Sequence, residues 1–233
     1  MNKKHIKPPF FEIGPKSYLF GDQVFKLAML AEKTAIKYDI DIIFTSPIID
    51  IRRIAQATDR ILLFAPHMDP ISIGRGLADI LPESLVAAGA HGVMLNHAEK
   101  PISISVLDKT ITRAKEVGLM TIVCADSIAQ AKSVACLNPD IIIAEPTDLI
   151  GTDQTSDMDY IKATINTVKS INSNILVLQA AGIRSGKNVF DVILAGAEAT
   201  GSSSGIICAP SPETMIDEMI SSLKEAWTIH NKY

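Results

Sequence analysis

The stretch Ile141-Ile142-Ile143-Ala144-Glu145-Pro146-Thr147-Asp148-Leu149-Ile150-Gly151-Thr152 decides how the rest of the chain is read. Its opening run is apolar at every position, with β-branched residues on both faces. That pattern fits a strand of a parallel sheet covered on both sides, where burial does not alternate. Glu145 ends the run, poised over an apolar floor. Loss of water there disfavours the charged form of a carboxylate, raises its pKa and makes it a better proton acceptor near neutral pH. Pro146 and Gly151 give the following loop rigid ends, as in a hinged lid.

Working outward, similar β-rich runs recur at residues 10–14, 41–45, 61–65, 92–96, 120–125, 175–179 and 198–203, the first and last being the weakest. Helical periodicity fills the gaps. Residues 22–38 bring Val24, Phe25, Leu27, Ala28 and Ala31 onto overlapping turns. Residues 105–117 gather Val106, Leu107, Ile111, Ala114 and Val117 near one face. Residues 212–227 form a final amphipathic helix with Pro212 at its start. Gly89, Gly118 and Gly196 stand where helices close, and Ser127 and Asp157 where side chains cap helix starts. Eight β-then-α units in 233 residues predict one (β/α)8 barrel domain spanning residues 1–233. An open doubly wound sheet is the alternative, but no G-x-G-x-x-G follows the first strand.

Composition narrows the function classes. Hydrophobic residues make up 47% of the chain and mean hydropathy is +0.23, which fits a fully covered sheet, a subunit interface, or both. No apolar segment approaches the roughly 20 residues that span a bilayer, so no membrane partner is expected. Pro8-Pro9 interrupts the N-terminal region where a signal core would lie, and the cytoplasm is the expected compartment. A net charge of −4 with scattered signs argues against a nucleic-acid partner. Cys124, Cys136 and Cys208 are odd in number and widely spaced, which suits neither a disulfide framework nor a zinc site.

A parallel barrel collects reactive groups at the C-terminal ends of its strands. Those ends present Lys16, His67, Asn96-His97, Cys124, Glu145, Gly182 and Ser202-Ser203-Ser204-Gly205. A cation, an imidazole, a carboxylate and glycine-bearing turns suit proton transfer on a phosphorylated small molecule. Taken singly, each has an ordinary reading: a capping carboxylate, a structural histidine, a solvated lysine, a plain turn.

The segment Gly92-Val93-Met94-Leu95-Asn96-His97-Ala98-Glu99 resembles the fourth strand of triosephosphate isomerases, especially the short archaeal type. The Glu145 segment resembles their sixth strand and lid, residues 118–124 their fifth strand, and Asp69-Pro70 with Leu81-Pro82-Glu83 their third loop and its helix. The resemblance implies a (β/α)8 TIM barrel that interconverts a small ketose and aldose phosphate through an enediolate. Dihydroxyacetone phosphate and glyceraldehyde 3-phosphate are the first expectation, with glycolysis and gluconeogenesis as the setting. It implies Glu145 as base, His97 as neutral electrophile, Lys16 as the cation facing enediolate and phosphate, and Glu99 as the partner of that lysine. The phosphate would rest on backbone N–H groups of Gly151, Gly182, Ser203, Ser204 and Gly205, since turns at helix starts expose such donors. No metal or organic cofactor is implied. A homodimer or homotetramer is, with Ile71, Ile73 and Leu77 around Arg75 in the contact.

The chain departs from the family pattern in its first strand. Gly14-Pro15-Lys16 stands where Asn, an aromatic and Lys are usual, so an amide is missing and space is expected at Gly14. Ala98 replaces a common serine, Ala180 a frequent glycine, and Arg184 adds a cation. Space at Gly14 would admit a longer substrate such as a tetrose phosphate. A non-catalytic phosphosugar-binding homologue is another reading. A barrel lyase or decarboxylase would need a Schiff-base lysine inside the barrel or a metal cluster, and the sequence suggests neither.

Overall fold

Eight short parallel strands pair side by side until the last meets the first. They are β1 Phe10–Ile13, β2 Asp41–Thr45, β3 Leu62–Ala65, β4 Gly92–Leu95, β5 Met120–Ala125, β6 Ile141–Ala144, β7 Leu176–Gln179 and β8 Ala199–Ser202. The computed structural model describes residues 6–150 and 156–232. β1 pairs with both β2 and β8, with Glu12 opposite Ile43 on one side and Gly201 on the other. The sheet is therefore a closed (β/α)8 barrel without a free edge, and the open doubly wound alternative is overturned.

Several strands are shorter than the sequence suggests. Gly14, Asn96, Glu145 and Ser203 lie beyond the strand ends, where the chain bends out of the sheet into the loops of the barrel mouth. Asn96 makes that bend at a φ of +57°. Ile61, Ile175 and Glu198 belong to the turns that precede their strands.

Side chains alternate along each strand. Phe10, Ile43, Phe64, Met94, Ile122, Ile143 and Leu178 fill the barrel. Phe11, Ile42, Phe44, Val93, Val123, Ile142 and Val177 face the helical ring. Both faces are buried, which is why the strands read as continuous apolar runs and why the chain is so hydrophobic.

The helices are α1 Asp22–Tyr38, α2 Ile51–Ala55, α3 Pro82–Ala88, α4 Ile104–Glu116, α5 Ile128–Ala135, α6 Met158–Ile171, α7 Gly186–Leu194, α8 Ser204–Ile207 and α9 Pro212–His230. Ser127 and Asp157 cap α5 and α6 through their side chains, as expected. α4 starts a residue earlier than its periodicity suggests because Ser103 accepts the Val106 N–H. α9 runs three residues past Trp227 to His230, where the Asn231 side-chain amide donates to the Trp227 carbonyl. Gly89, Gly118 and Gly196 all have positive φ at helix ends. No helix among the described residues is long and apolar enough to cross a membrane.

The loop after β3 is tied at its base. Asp69 accepts the Ile80 N–H at 2.7 Å and meets His67 Nε2 at 3.3 Å. His67 therefore braces this loop, in line with its ordinary reading.

Candidate active site

The loop after β4 sets the position of an imidazole. Asn96 donates to the Cys124 carbonyl at 3.0 Å and accepts the Ile102 N–H at 3.1 Å. Its side chain thus pins both the neighbouring strand and the far side of its own loop. His97 follows, and its Nδ1 accepts the backbone N–H of Glu99 at 3.1 Å. A ring nitrogen that accepts carries no proton, so a neutral His97 bears its hydrogen on Nε2. Burial pushes the His97 pKa down, the positive charge of Lys16 adds to this, and Glu99 opposes it. The ring is held neutral, with a donor aimed into the barrel mouth.

Glu145 faces it from β6. Its N–H donates to the Ala125 carbonyl at 2.9 Å, extending the β5–β6 ladder one step before Pro146 turns the chain away. Glu145 Oε2 lies 3.7 Å from His97 Nε2, beyond hydrogen-bond reach. Burial raises the Glu145 pKa, Lys16 opposes the rise and Glu99 adds to it. Lys16 occupies a left-handed backbone conformation, φ +46°, which costs a residue with a side chain about 1–3 kcal/mol. Its Nζ lies 3.2 Å from Glu99 Oε1, an ion pair that fixes the ammonium beside the imidazole and the carboxylate.

These groups share the wall of one cavity of about 430 Å³. Glu145, His97, Lys16 and Glu99 line it, as do Gly182, Ser203 and Ser204. Residues from opposite ends of the sequence are thus brought to one mouth: the Ser203 hydroxyl donates to the Gly14 carbonyl at 2.5 Å. One expected residue is placed differently. Gly205 is not on the cavity wall; a Cβ there would lie 2.4 Å from the Ile183 carbonyl oxygen, so its bareness lets α8 pack on the loop after β7. Gly151 lies outside the described residues. Arg184 stands at the start of α7 and also lines the cavity mouth. Cys124 is buried nearby, and burial drives its thiol well above the usual range, which removes it as a nucleophile.

A sequence model of triosephosphate isomerase matches residues 20–189. This chain belongs to the triosephosphate isomerase family. The triosephosphate isomerase of Saccharolobus solfataricus is 32% identical over 95% of this chain and 99% of its own length. That of Methanocaldococcus jannaschii is 34% identical over 86% of this chain and 92% of its own. That of Methanobacterium bryantii is 32% identical over 92% and 97%.

In this member of the family the cavity holds a group that sequence reasoning missed. Glu12 points inward from β1 and lines the cavity. The Thr45 hydroxyl donates to its Oε1 at 2.6 Å. Burial raises the Glu12 pKa to about 7, against the Thr45 hydrogen bond, with Glu145 adding to the rise and Lys16 opposing it. The space expected at Gly14 is not empty: a Cβ there would lie 3.0 Å from Glu12 Oε1. The carboxyl stands in tight contact with the volume that a side chain at residue 14 would fill. The signal was present, since Glu12 is the one charged residue of Phe10-Phe11-Glu12-Ile13 and shares the inward face of Phe10.

Proposed function

We propose that this chain interconverts a small ketose phosphate and its aldose by proton transfer through an enediolate. Dihydroxyacetone phosphate and glyceraldehyde 3-phosphate are the reference pair. The observation that carries the reading is the convergence of the Glu145 carboxylate and His97 Nε2, 3.7 Å apart and unbonded to each other, across a cavity.

In this scheme Glu145 removes a proton from the carbon beside the carbonyl. The electron pair moves to the carbonyl oxygen, where His97 Nε2–H and the Lys16 ammonium stabilise the developing charge. The proton returns to the neighbouring carbon, so the reaction is redox-neutral overall. Glu99 keeps Lys16 in place. The phosphate rests on backbone N–H groups around Gly182, Ser203 and Ser204. The test is turnover of three- to five-carbon ketose phosphates, with incorporation of deuterium from heavy water at the reacting carbon. Exchange is expected; tight binding without exchange on any of them would leave only the non-catalytic reading.

We also propose a homo-oligomer, in the cytoplasm, with the loop after β3 in the contact. Ile73 is 75% exposed in the isolated chain and Leu77 is fully exposed, an apolar pair more at home against a partner than in water. Light scattering across concentration checks it; a monomer at all concentrations refutes it.

A further inference from the structure

Glu12 is not used by the scheme above, yet its surroundings are built around it. It lies one residue before the end of β1, about 3 Å below it, on the cavity floor. Thr45 locks one carboxyl oxygen. Among the described residues no protein group donates to the other. Gly14 and Gly201 flank the carboxyl, and a Cβ at Gly201 would lie 3.1 Å from Glu12 Oε2. Two bare neighbours leave that oxygen open to the cavity.

Gly14, which flanks the carboxyl, accepts the Ser203 hydroxyl through its carbonyl, so Glu12 stands beside the turn taken to cradle the phosphate as well as near Glu145 and Lys16. The carbon chain of a bound substrate runs between that turn and the reacting groups. On that chain the two reacting oxygens are already served by Glu145, His97 and Lys16. A triose phosphate has no further hydroxyl: its three carbons carry the reacting pair and the phosphate. A desolvated carboxyl left without a partner under the bound substrate is unfavourable, and a site built to bond a hydroxyl discriminates strongly against analogues lacking it.

We propose that Glu12, held by Thr45, is a specificity-determining residue that hydrogen-bonds a substrate hydroxyl lying between the reacting pair and the phosphate, so that the preferred substrate is a ketose or aldose phosphate of four or more carbons. A carboxyl accepts from, or donates to, a hydroxyl according to its protonation state, so the contact survives titration of Glu12. The inference rests on the isomerase reading and narrows its substrate class.

The experiment compares kcat/KM for erythrulose 4-phosphate and dihydroxyacetone phosphate in the wild type, Glu12→Ala, Glu12→Gln and Thr45→Val, each checked for folding by thermal melt. The wild type is expected to favour the tetrose at least tenfold. Glu12→Ala is expected to reduce the tetrose value at least tenfold more than the triose value, and the better-packed Glu12→Gln to fall between. Thr45→Val, which releases the carboxyl without removing it, is expected to raise KM for the tetrose more than it lowers kcat. A wild type that turns over the triose as well as the tetrose, or Glu12 variants that depress both equally, would overturn the proposal and leave the isomerase reading standing. No turnover or exchange on either substrate would sink the isomerase reading, and this inference with it.

Discussion

Replacing Glu145 separates charge from position. Glu145→Gln keeps the shape of the side chain but abolishes its basicity. Glu145→Asp keeps the charge but withdraws it by about 1.5 Å, one carbon–carbon bond. In the wild type Oε2 stands 3.7 Å from His97 Nε2 with no bond between them, so both groups are free to engage a substrate wedged in that gap. A positioned general base contributes about 10²–10⁴ in rate. At roughly 1.4 kcal/mol per decade this is about 3–5 kcal/mol of barrier. Burial of Glu145 makes it a stronger base than an exposed carboxylate, which places the Gln variant toward the upper end. The Asp variant is expected to lose about 10²-fold, the effect of misplacing a reacting group by roughly an ångström. The assay is solvent hydrogen exchange at the substrate carbon, run beside affinity for a phosphate-bearing competitive inhibitor. Both losses should fall on exchange, with inhibitor affinity within about threefold of wild type. A Gln variant that keeps a tenth or more of wild-type exchange would refute the assignment of Glu145 as the base.

Three further outcomes follow from the same geometry. The pH profile of kcat/KM should show an acid limb above the ordinary carboxylate value of 4.5, because Glu145 must be ionised and its pKa is raised; an inflection near pH 7 that vanishes in Glu12→Gln should accompany it, and a limb at or below 4.5 would refute the first part. For stability, Glu12 has a folded pKa of about 7 against 4.5 for the model carboxyl, so the fold favours its neutral form; this contribution is complete below pH 4.5 and is lost as pH rises to 7, about 3 kcal/mol in all, and urea melts of Glu12→Gln should lack that slope. Gly92→Ala should destabilise by about 1–3 kcal/mol, or roughly 2–4 °C in Tm for each kcal/mol, because its Cβ would fall 2.3 Å from Phe64 Cε1 and 2.7 Å from the Met120 carbonyl oxygen; an unchanged melt would contradict the packing.

What the sequence disclosed followed from where each kind of signal resides. Ile141–Ala144 and Met120–Ala125 were legible as strands because burial on both faces leaves an unbroken apolar run. Ser127 and Asp157 were legible as caps because a single side chain decides that contact. His97 and Glu145 were legible because strand ends in a barrel point the same way, so two distant positions could be placed at one mouth before any distance was known. Strand ends blurred because Asn96 and Gly14 share the local character of the strands they leave. The short α2 and α8 were not marked out, since helices of this length have almost no periodicity to detect. Glu12 escaped for a different reason. Its meaning depends on Thr45 of β2 and Gly201 of β8, and barrel register, not local sequence, brings them beside it. The space expected at Gly14 is bounded instead by a residue of the same segment, the Glu12 carboxyl two positions earlier on the same inward face.

Two carboxyls in one cavity can keep separate roles only if they give up their protons in a fixed order. Burial raises the pKa of both Glu12 and Glu145, but the two are not equivalent. Lys16 is the first influence opposing the effect of burial on Glu145, and Glu12 is not among the charges that act on it; on Glu12 the Thr45 hydroxyl and Lys16 oppose burial while the charge of Glu145 adds to it. Glu145 therefore ionises first, and its negative charge in turn raises the pKa of Glu12. While Glu145 titrates, Glu12 is neutral and exerts no charge upon it. Removing the Glu12 carboxyl should consequently leave the acid limb in place and delete only the inflection near neutrality. Above that inflection the floor gains a negative charge that opposes both an incoming phosphate and an enediolate. The order of deprotonation keeps the base charged and the floor neutral in the range where an anionic substrate must enter, and the closed register of β1 against β2 and β8 sets that order by burying one carboxyl more deeply than the other.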